Sequence, residues 1–290
     1  MAGFLGIMVH DAPQHHALRV YSSADTLYSS VGCTAPPVDL FAIARHRRIH
    51  RAGFRLMVPR GVLVPVSGGF ELFLRNPDSR DLNLETKEPQ NLLSHRQRFN
   101  FAHEIAHTFF FRDSKAIPTP ITVTGDPRKL EDICDVAAGH ILVPSDLLRR
   151  EIKRELLGNC ERIDSHFVRA MVAKFQASPD VVINRLRMVE SGNVFARCIL
   201  LVRKIDGESQ IRACYMGVTL LSSLPEPNIY GPVANWFQEV PRAVTDSDGG
   251  GKWEITRGRR KLEMEKIPLG RSGDFLLQID DPAHRAPTSK

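Results

Sequence analysis

Two histidines and a glutamate interrupt a largely apolar stretch, FNFAHEIAHTFFF, at residues 99–111. His103 and His107 are four residues apart, so on an α-helix both rings leave the same face, about 40° and about 6 Å from each other. Two imidazole nitrogens can then reach one metal ion, and Glu104 lies beside that ion, where it can polarise a bound water. This H-E-x-x-H pattern predicts a metal-binding helix. The alternative is a set of core or surface histidines whose polar groups are satisfied by neighbours.

A catalytic zinc usually has a third protein ligand and leaves its fourth position to water. A later stretch, GDPRKLEDICDVAAGHILVP at residues 125–144, is predicted to form a second helix. Glu131 and Asp135 share one face of this helix, whereas His140 is nine residues after Glu131 and points away. We therefore predict Glu131 as the third ligand and Asp135 as an outer carboxylate that holds a histidine through its other ring nitrogen. The alternative is two exposed acids on a helix surface.

The stretches RQRFNFAHEIAH and EDICDVAAGHILVP together resemble the ImmA/IrrE family of metallopeptidases. PPVDLFAIARHRRI and GGFELFLRN are similar to the first helix of that family and to the strand before its active-site helix. The resemblance covers residues 36 to 190 and implies zinc on His103, His107 and Glu131, with Glu104 as the base that assists attack by a zinc-bound water. It also implies a narrow substrate, a DNA-binding repressor of the helix-turn-helix type that is cut at one place. Mn²⁺ or Fe²⁺ can occupy the same ligands.

Composition narrows the cellular setting. There is no run of eighteen uncharged apolar residues, so we expect no transmembrane helix and no membrane partner. The five cysteines form no C-x-x-C pair and their number is odd, which favours a reducing compartment and predicts a cytoplasmic protein. The formal net charge of +6 is compatible with nucleic acid as a partner without requiring it.

Four segments are predicted along the chain, and together they give an α+β fold class. The first is a loosely attached N-terminal lead at 1–35, followed by a zincin-like zinc metallopeptidase domain at 36–158. A helix-turn-helix-like helical segment follows at 159–192. The last is a C-terminal β-rich α+β domain at 193–290, a region that is sensor-like in some members of the family.

The helix-turn-helix-like segment leaves two functions open. Ser178 caps the second of two short helices, and Lys174, Asn184, Arg185 and Arg187 are candidates for DNA contact. An ordinary helical hairpin between two domains has the same pattern. The metal motif predicts a zinc-dependent endopeptidase, and the family resemblance implies that it cuts a regulatory protein. The alternative is a non-catalytic DNA-binding transcription regulator with a structural metal site.

The β-rich part begins with a predicted hairpin around Asp206–Gly207, a dipeptide typical of two-residue turns. Such a turn pairs Cys198 with Tyr215. In that register Cys198 and Cys214 face opposite sides of the sheet, so a disulfide between them is not expected.

Overall fold

The computed structural model describes residues 13–76, 80–85, 93–112, 116–121, 127–158, 163–189, 197–205, 208–216, 250–257, 260–269 and 274–280. The chain divides into two compact units: one takes the described residues up to Leu147 with Lys174–Ala177, and the other takes Leu148–Ala173 and those from Ser178 on. Helices and strands occur in both units, which confirms the predicted α+β class. The predicted four-segment boundaries stay a prediction.

A four-stranded sheet with the order β2-β3-β1-β4 lies in the first unit. Its strands are β1 (Ile49–Arg55), β2 (Gly61–Val66), β3 (Gly69–Arg75) and β4 (Arg80–Leu82). β2 and β3 form an antiparallel hairpin whose turn includes Gly68, with a φ of 81° that suits glycine. β1 is parallel to β3 and antiparallel to β4. Within the described part of the chain, β2 is therefore an edge strand.

Helices of the first unit carry the predicted ligands. They are α1 (Pro13–Ser30), α2 (Leu40–His46), α3 (His95–His107), α4 (Pro127–Leu142) and the start of α5 (Ser145–Gly158). A 3₁₀ turn (Thr108–Phe110) and the short strands β5 (Phe111–Arg112) and β6 (Thr119–Pro120) follow α3. A capping box fixes the start of α3, because the Ser94 side chain accepts from Gln97 N–H and the Gln97 side chain accepts from Ser94 N–H.

Residues 1–12 of the predicted loosely attached lead at 1–35 lie outside the described residues, and the described part includes α1, which is packed on one side. One face of α1 is buried, through Ala17, Val20, Ala24 and Leu27. These apolar residues recur at helical spacing, and α1 packs along α4. Asp25 joins α1 to its neighbours, because its carboxylate accepts from the Ser145 backbone N–H at 2.9 Å and lies 3.2 Å from His140 Nδ1.

Arg98 on α3 is fully buried and connects three segments of the first unit. Its Nε donates to the Gln176 carbonyl and its Nη2 to the Val38 carbonyl, both at 3.1 Å. Nη1 has no hydrogen-bond partner among the described residues. Burial lowers the pKa of this guanidinium to about 10, which leaves it charged at neutral pH. Arg98 therefore fixes the helix that carries the histidines relative to the loop at Val38 and the turn at Gln176.

We expect Arg98→Met to lower the free energy of unfolding by about 2–4 kcal/mol, because the carbonyls of Val38 and Gln176 lose a charge-assisted donor. Urea unfolding of the metal-free protein measures this. Arg96→Met is the matched control, since Arg96 lies on the same helix and is exposed. Equal effects of the two substitutions would show that the buried hydrogen bonds of Arg98 contribute nothing.

A five-stranded antiparallel sheet with the order β8-β7-β11-β10-β9 lies in the second unit. Its strands are β7 (Arg197–Ile205), β8 (Glu208–Met216), β9 (Gly251–Arg257), β10 (Arg260–Pro268) and β11 (Phe275–Asp280). The helices α6 (Ser165–Phe175) and α7 (Pro179–Val189) precede the sheet, and α7 packs on β7 and β8. Among the helices described here, none combines the length and the hydropathy needed for a membrane span.

The pairing of β7 with β8 corrects the predicted register. The turn at Asp206–Gly207 lies outside the described residues, but a bulge between the two strands shifts the pairing by one residue, so Cys198 pairs with Met216 instead of Tyr215. The predicted placement of Cys198 and Cys214 on opposite faces is therefore wrong. Their sulfurs lie 3.9 Å apart on the same face, and both are free thiols.

One face of α7 is buried, and this corrects one predicted DNA contact. Its buried residues are Val181, Val182, Ile183, Arg185 and Leu186. Arg185 is only 2 % exposed and donates to the Met188 sulfur at 3.3 Å. The prediction that Arg185 contacts DNA is wrong, because this arginine belongs to the helix face that packs inward. Asn184 and Arg187 are exposed.

Candidate metal centre

The packing of α3 against α4 brings the three predicted ligands together. His103 Nε2 lies 3.0 Å from His107 Nε2 and 3.1 Å from Glu131 Oε2. His107 Nε2 lies 3.7 Å from Glu131 Oε1. One donor atom from each of the three residues lies within 4.8 Å of the other two, so the group can hold a metal ion.

The donor separations fit a single tetrahedral ion. Bonds of about 2.1 Å to such an ion place two donors about 3.4 Å apart. The observed separations run from 3.0 to 3.7 Å, with the two histidines nearest to different oxygens of Glu131. The His103 side chain is 14 % exposed and that of His107 is 18 % exposed, whereas that of Glu131 is 58 % exposed. The group therefore consists of two sheltered nitrogens and a carboxylate that borders solvent.

Each histidine has a second contact with α4. Asp135 Oδ1 lies 2.8 Å from His103 Nδ1, and Cys134 Sγ lies 3.5 Å from His107 Nδ1. These two α4 residues follow Glu131 by four and three positions, so all three occupy one helix face. Asp135 was predicted from the sequence and Cys134 was not, although the three-residue spacing of Cys134 from Glu131 places it on the same helix face.

The surroundings shift the two histidine pKa values in opposite directions. Burial by itself lowers the pKa of His103, but the hydrogen bond to Asp135 and the nearby carboxylates outweigh it and raise the pKa above its usual value. Burial, followed by the neighbouring His103, lowers the pKa of His107. Burial also raises the pKa of the Cys134 thiol, with carboxylates around it adding to the effect. His103 is therefore the more basic of the two nitrogen donors.

His140, the histidine that the sequence analysis excluded as a ligand, lies elsewhere. Its ring stacks on Tyr21 with the centroids 5.4 Å apart. Its Nδ1 faces Asp25 on α1. His140 therefore joins α4 to α1, and burial raises the pKa of the neighbouring Tyr21 to about 12.

Glu104 is buried beside the ligands and packs against β2. It is 6 % exposed, and a Cβ added to Gly61 would lie 2.3 Å from its Oε1. Burial raises the pKa of Glu104 to about 7, while His103 lowers it and Glu131 raises it. The absence of a side chain at Gly61 thus makes room for this carboxylate. No local sequence pattern reveals the contact, because it joins a strand to a helix.

We expect Gly61→Ala to lower the free energy of unfolding by about 1–3 kcal/mol in the wild-type background and by almost nothing in a Glu104→Ala background. The reason is that the three atoms nearest to the added methyl group all belong to the Glu104 side chain. Urea unfolding of the four proteins in this double-mutant cycle measures the difference. An equal loss in both backgrounds would place the clash elsewhere.

Comparison with known proteins adds a distant structural likeness. No family model matches the chain, and no curated protein matches it. A solved structure of a Mycobacterium tuberculosis transcriptional regulator is similar over 94% of this chain and 80% of that chain, with 12% identity and a TM-score of 0.48. A likeness this low does not bear on function. The resemblance to ImmA/IrrE stays a prediction based on the motif residues.

Proposed function

We propose that this protein is a zinc-dependent endopeptidase of the ImmA/IrrE type. His103, His107 and Glu131 hold the metal, and Glu104 is the general base. The main support is the convergence of three donor atoms from two helices beside a buried glutamate. Structural zinc sites are usually closed by four protein ligands, whereas a three-ligand set leaves a position for water or substrate. Mn²⁺ or Fe²⁺ fit the same donors.

Each side chain of this site has a separate role in the proposed peptide hydrolysis. When bound, the metal supplies Lewis acidity, which acidifies a water and polarises the scissile carbonyl. Glu104 accepts a proton from the attacking water and passes it to the leaving amine, so its buried position beside the ligands matches the role. Asp135 holds the His103 ring through Nδ1, so the lone pair of Nε2 can bind the metal.

Strand β2 supports a peptide as the substrate. Pro65 has no backbone N–H to donate to β3, which assigns it to a position whose backbone groups face away from β3. In this register Gly61 and Leu63 face the same way, towards the edge of β2 that no other described strand pairs with. An extended peptide can add to this edge through main-chain hydrogen bonds at Gly61 and Leu63. Gly61 lies against Glu104, so a peptide bound along β2 passes next to the proposed base.

The substrate that we propose is a DNA-binding repressor of the helix-turn-helix type, cut at one place in the cytoplasm. This part of the proposal depends on the family resemblance. The free thiols of Cys33, Cys134, Cys198 and Cys214 agree with a reducing compartment. The alternative, a DNA-binding regulator with a structural metal, is less well supported, because Arg185 is buried and the three-ligand metal site borders solvent.

Mass spectrometry of cleavage products tests the proposal. Purified protein loaded with zinc is incubated with each helix-turn-helix repressor encoded in the same genome. Each repressor is also co-expressed with the protein. We expect one repressor to be cut at one internal position, with activity lost on chelation and restored by zinc. A protein that carries one zinc per chain and cuts none of these repressors would overturn the proposal.

A further inference from the structure

We propose that Cys134 is a positioning residue of the metal centre, which holds the His107 ring so that Nε2 faces the ion. This inference rests on the metal site of the proposed function but not on peptide hydrolysis. Cys134 is fully buried on α4, and its sulfur lies 3.5 Å from His107 Nδ1. The contact therefore lies behind the ligand, on the ring edge opposite to the donor atom.

The position of the sulfur excludes it from the ligand set in this arrangement. His107 Nε2 faces His103 and Glu131, at 3.0 Å and 3.7 Å. Cys134 is on the Nδ1 side of the ring, away from the point where the three donors converge. The thiol thus contacts a ligand without belonging to the group of donor atoms.

The tautomer of His107 gives this contact its role. A neutral imidazole that donates the Nε2 lone pair to a metal carries its hydrogen on Nδ1. That N–H is sheltered, since the side chain is only 18 % exposed, and a buried donor without an acceptor is destabilising. The Cys134 sulfur accepts this hydrogen bond. It fixes both the tautomer and the ring angle, as Asp135 does for His103.

The two histidines are therefore held by acceptors of different strength. His103 donates to a carboxylate, and His107 donates to a sulfur, which is a weak acceptor. Loss of an outer hydrogen-bond partner typically weakens metal binding about 10- to 100-fold. Because the sulfur is the weaker partner, we expect Cys134→Ala to weaken zinc binding by about 10-fold. Cys134→Ser keeps an acceptor and is expected to retain most of the affinity.

Three variants and two metals test the inference. Zinc affinity is measured by chelator competition, ligand geometry by the visible spectrum of the cobalt-substituted protein, and folding by thermal unfolding without metal. Cys33→Ala is the matched control, because the Cys33 thiol is free, donates to the Ala35 carbonyl and does not belong to the metal centre. We expect a changed cobalt spectrum and weaker zinc binding for Cys134→Ala, and wild-type behaviour for Cys33→Ala.

Three results would overturn the inference. The first is wild-type affinity and an unchanged cobalt spectrum in folded Cys134→Ala. The second is a thiolate-to-cobalt charge-transfer band in the wild type that Cys134→Ser removes, which would make Cys134 a ligand. The third is measured on the zinc-loaded wild type: proton NMR finds no slowly exchanging Nδ1–H on His107. Wild-type protein that binds no zinc would overturn this inference together with the proposed function, whereas the three results above overturn it alone.

Discussion

Replacement of Glu104 by glutamine is expected to lower kcat/KM for peptide cleavage by about 10²- to 10⁴-fold while zinc remains bound. Glutamine has nearly the same shape and fits the space beside Gly61, but its amide cannot accept the proton of the attacking water. The three donor atoms are left unchanged, so the metal content is expected to match that of the wild type. Cleavage of the repressor and zinc content, measured on the same preparation, check both expectations.

The matched control for this substitution is Glu151→Gln. Glu151 is also buried, at 5 % exposure, and lies on α5 beside Arg154. Its loss removes a buried carboxylate without touching the metal ligands, so hydrolysis is expected to persist. If Glu104→Gln still cuts at the wild-type rate, Glu104 is not the base. If it loses zinc as well as activity, the glutamate supports the metal site instead.

Local patterns in the sequence predicted the elements that carry the site. The four-residue spacing of His103 and His107 places both rings on one face of any helix, and α3 is a helix. The same spacing rule relates Glu131 to Asp135 on α4. These predictions succeed because helical geometry depends on residues close together in sequence.

Features that depend on contacts between distant segments were missed or misplaced. The space that Gly61 leaves for Glu104 joins a strand to a helix 43 residues later, and the sequence near either residue contains no sign of it. The bulge that brings Cys198 and Cys214 to one face shifts the register in the middle of a strand pair, beyond the influence of the turn. The buried face of α1 was not predicted, because polar residues are also frequent in this helix. In addition, the helix α4 that it packs against begins about a hundred residues later.

His103→Ala is expected to remove zinc binding at micromolar metal, because two remaining donors do not form a stable zinc site. As a consequence, zinc no longer stabilises the folded state of the variant. At a free zinc concentration of 100 times Kd, the wild type gains about 2.7 kcal/mol in free energy of unfolding, and the variant is expected to gain almost none. Urea unfolding with and without zinc measures this gain for each protein.

His140→Ala is the matched control for the loss of a histidine. It removes the stacking on Tyr21 and the contact with Asp25, so the metal-free protein is expected to be less stable. The stabilisation by zinc should nevertheless match that of the wild type, because His140 is not one of the three donors. His103→Ala, in contrast, removes the nitrogen that lies 3.0 Å from His107 Nε2 and 3.1 Å from Glu131 Oε2. Full stabilisation by zinc in His103→Ala would mean that the metal binds elsewhere on the chain.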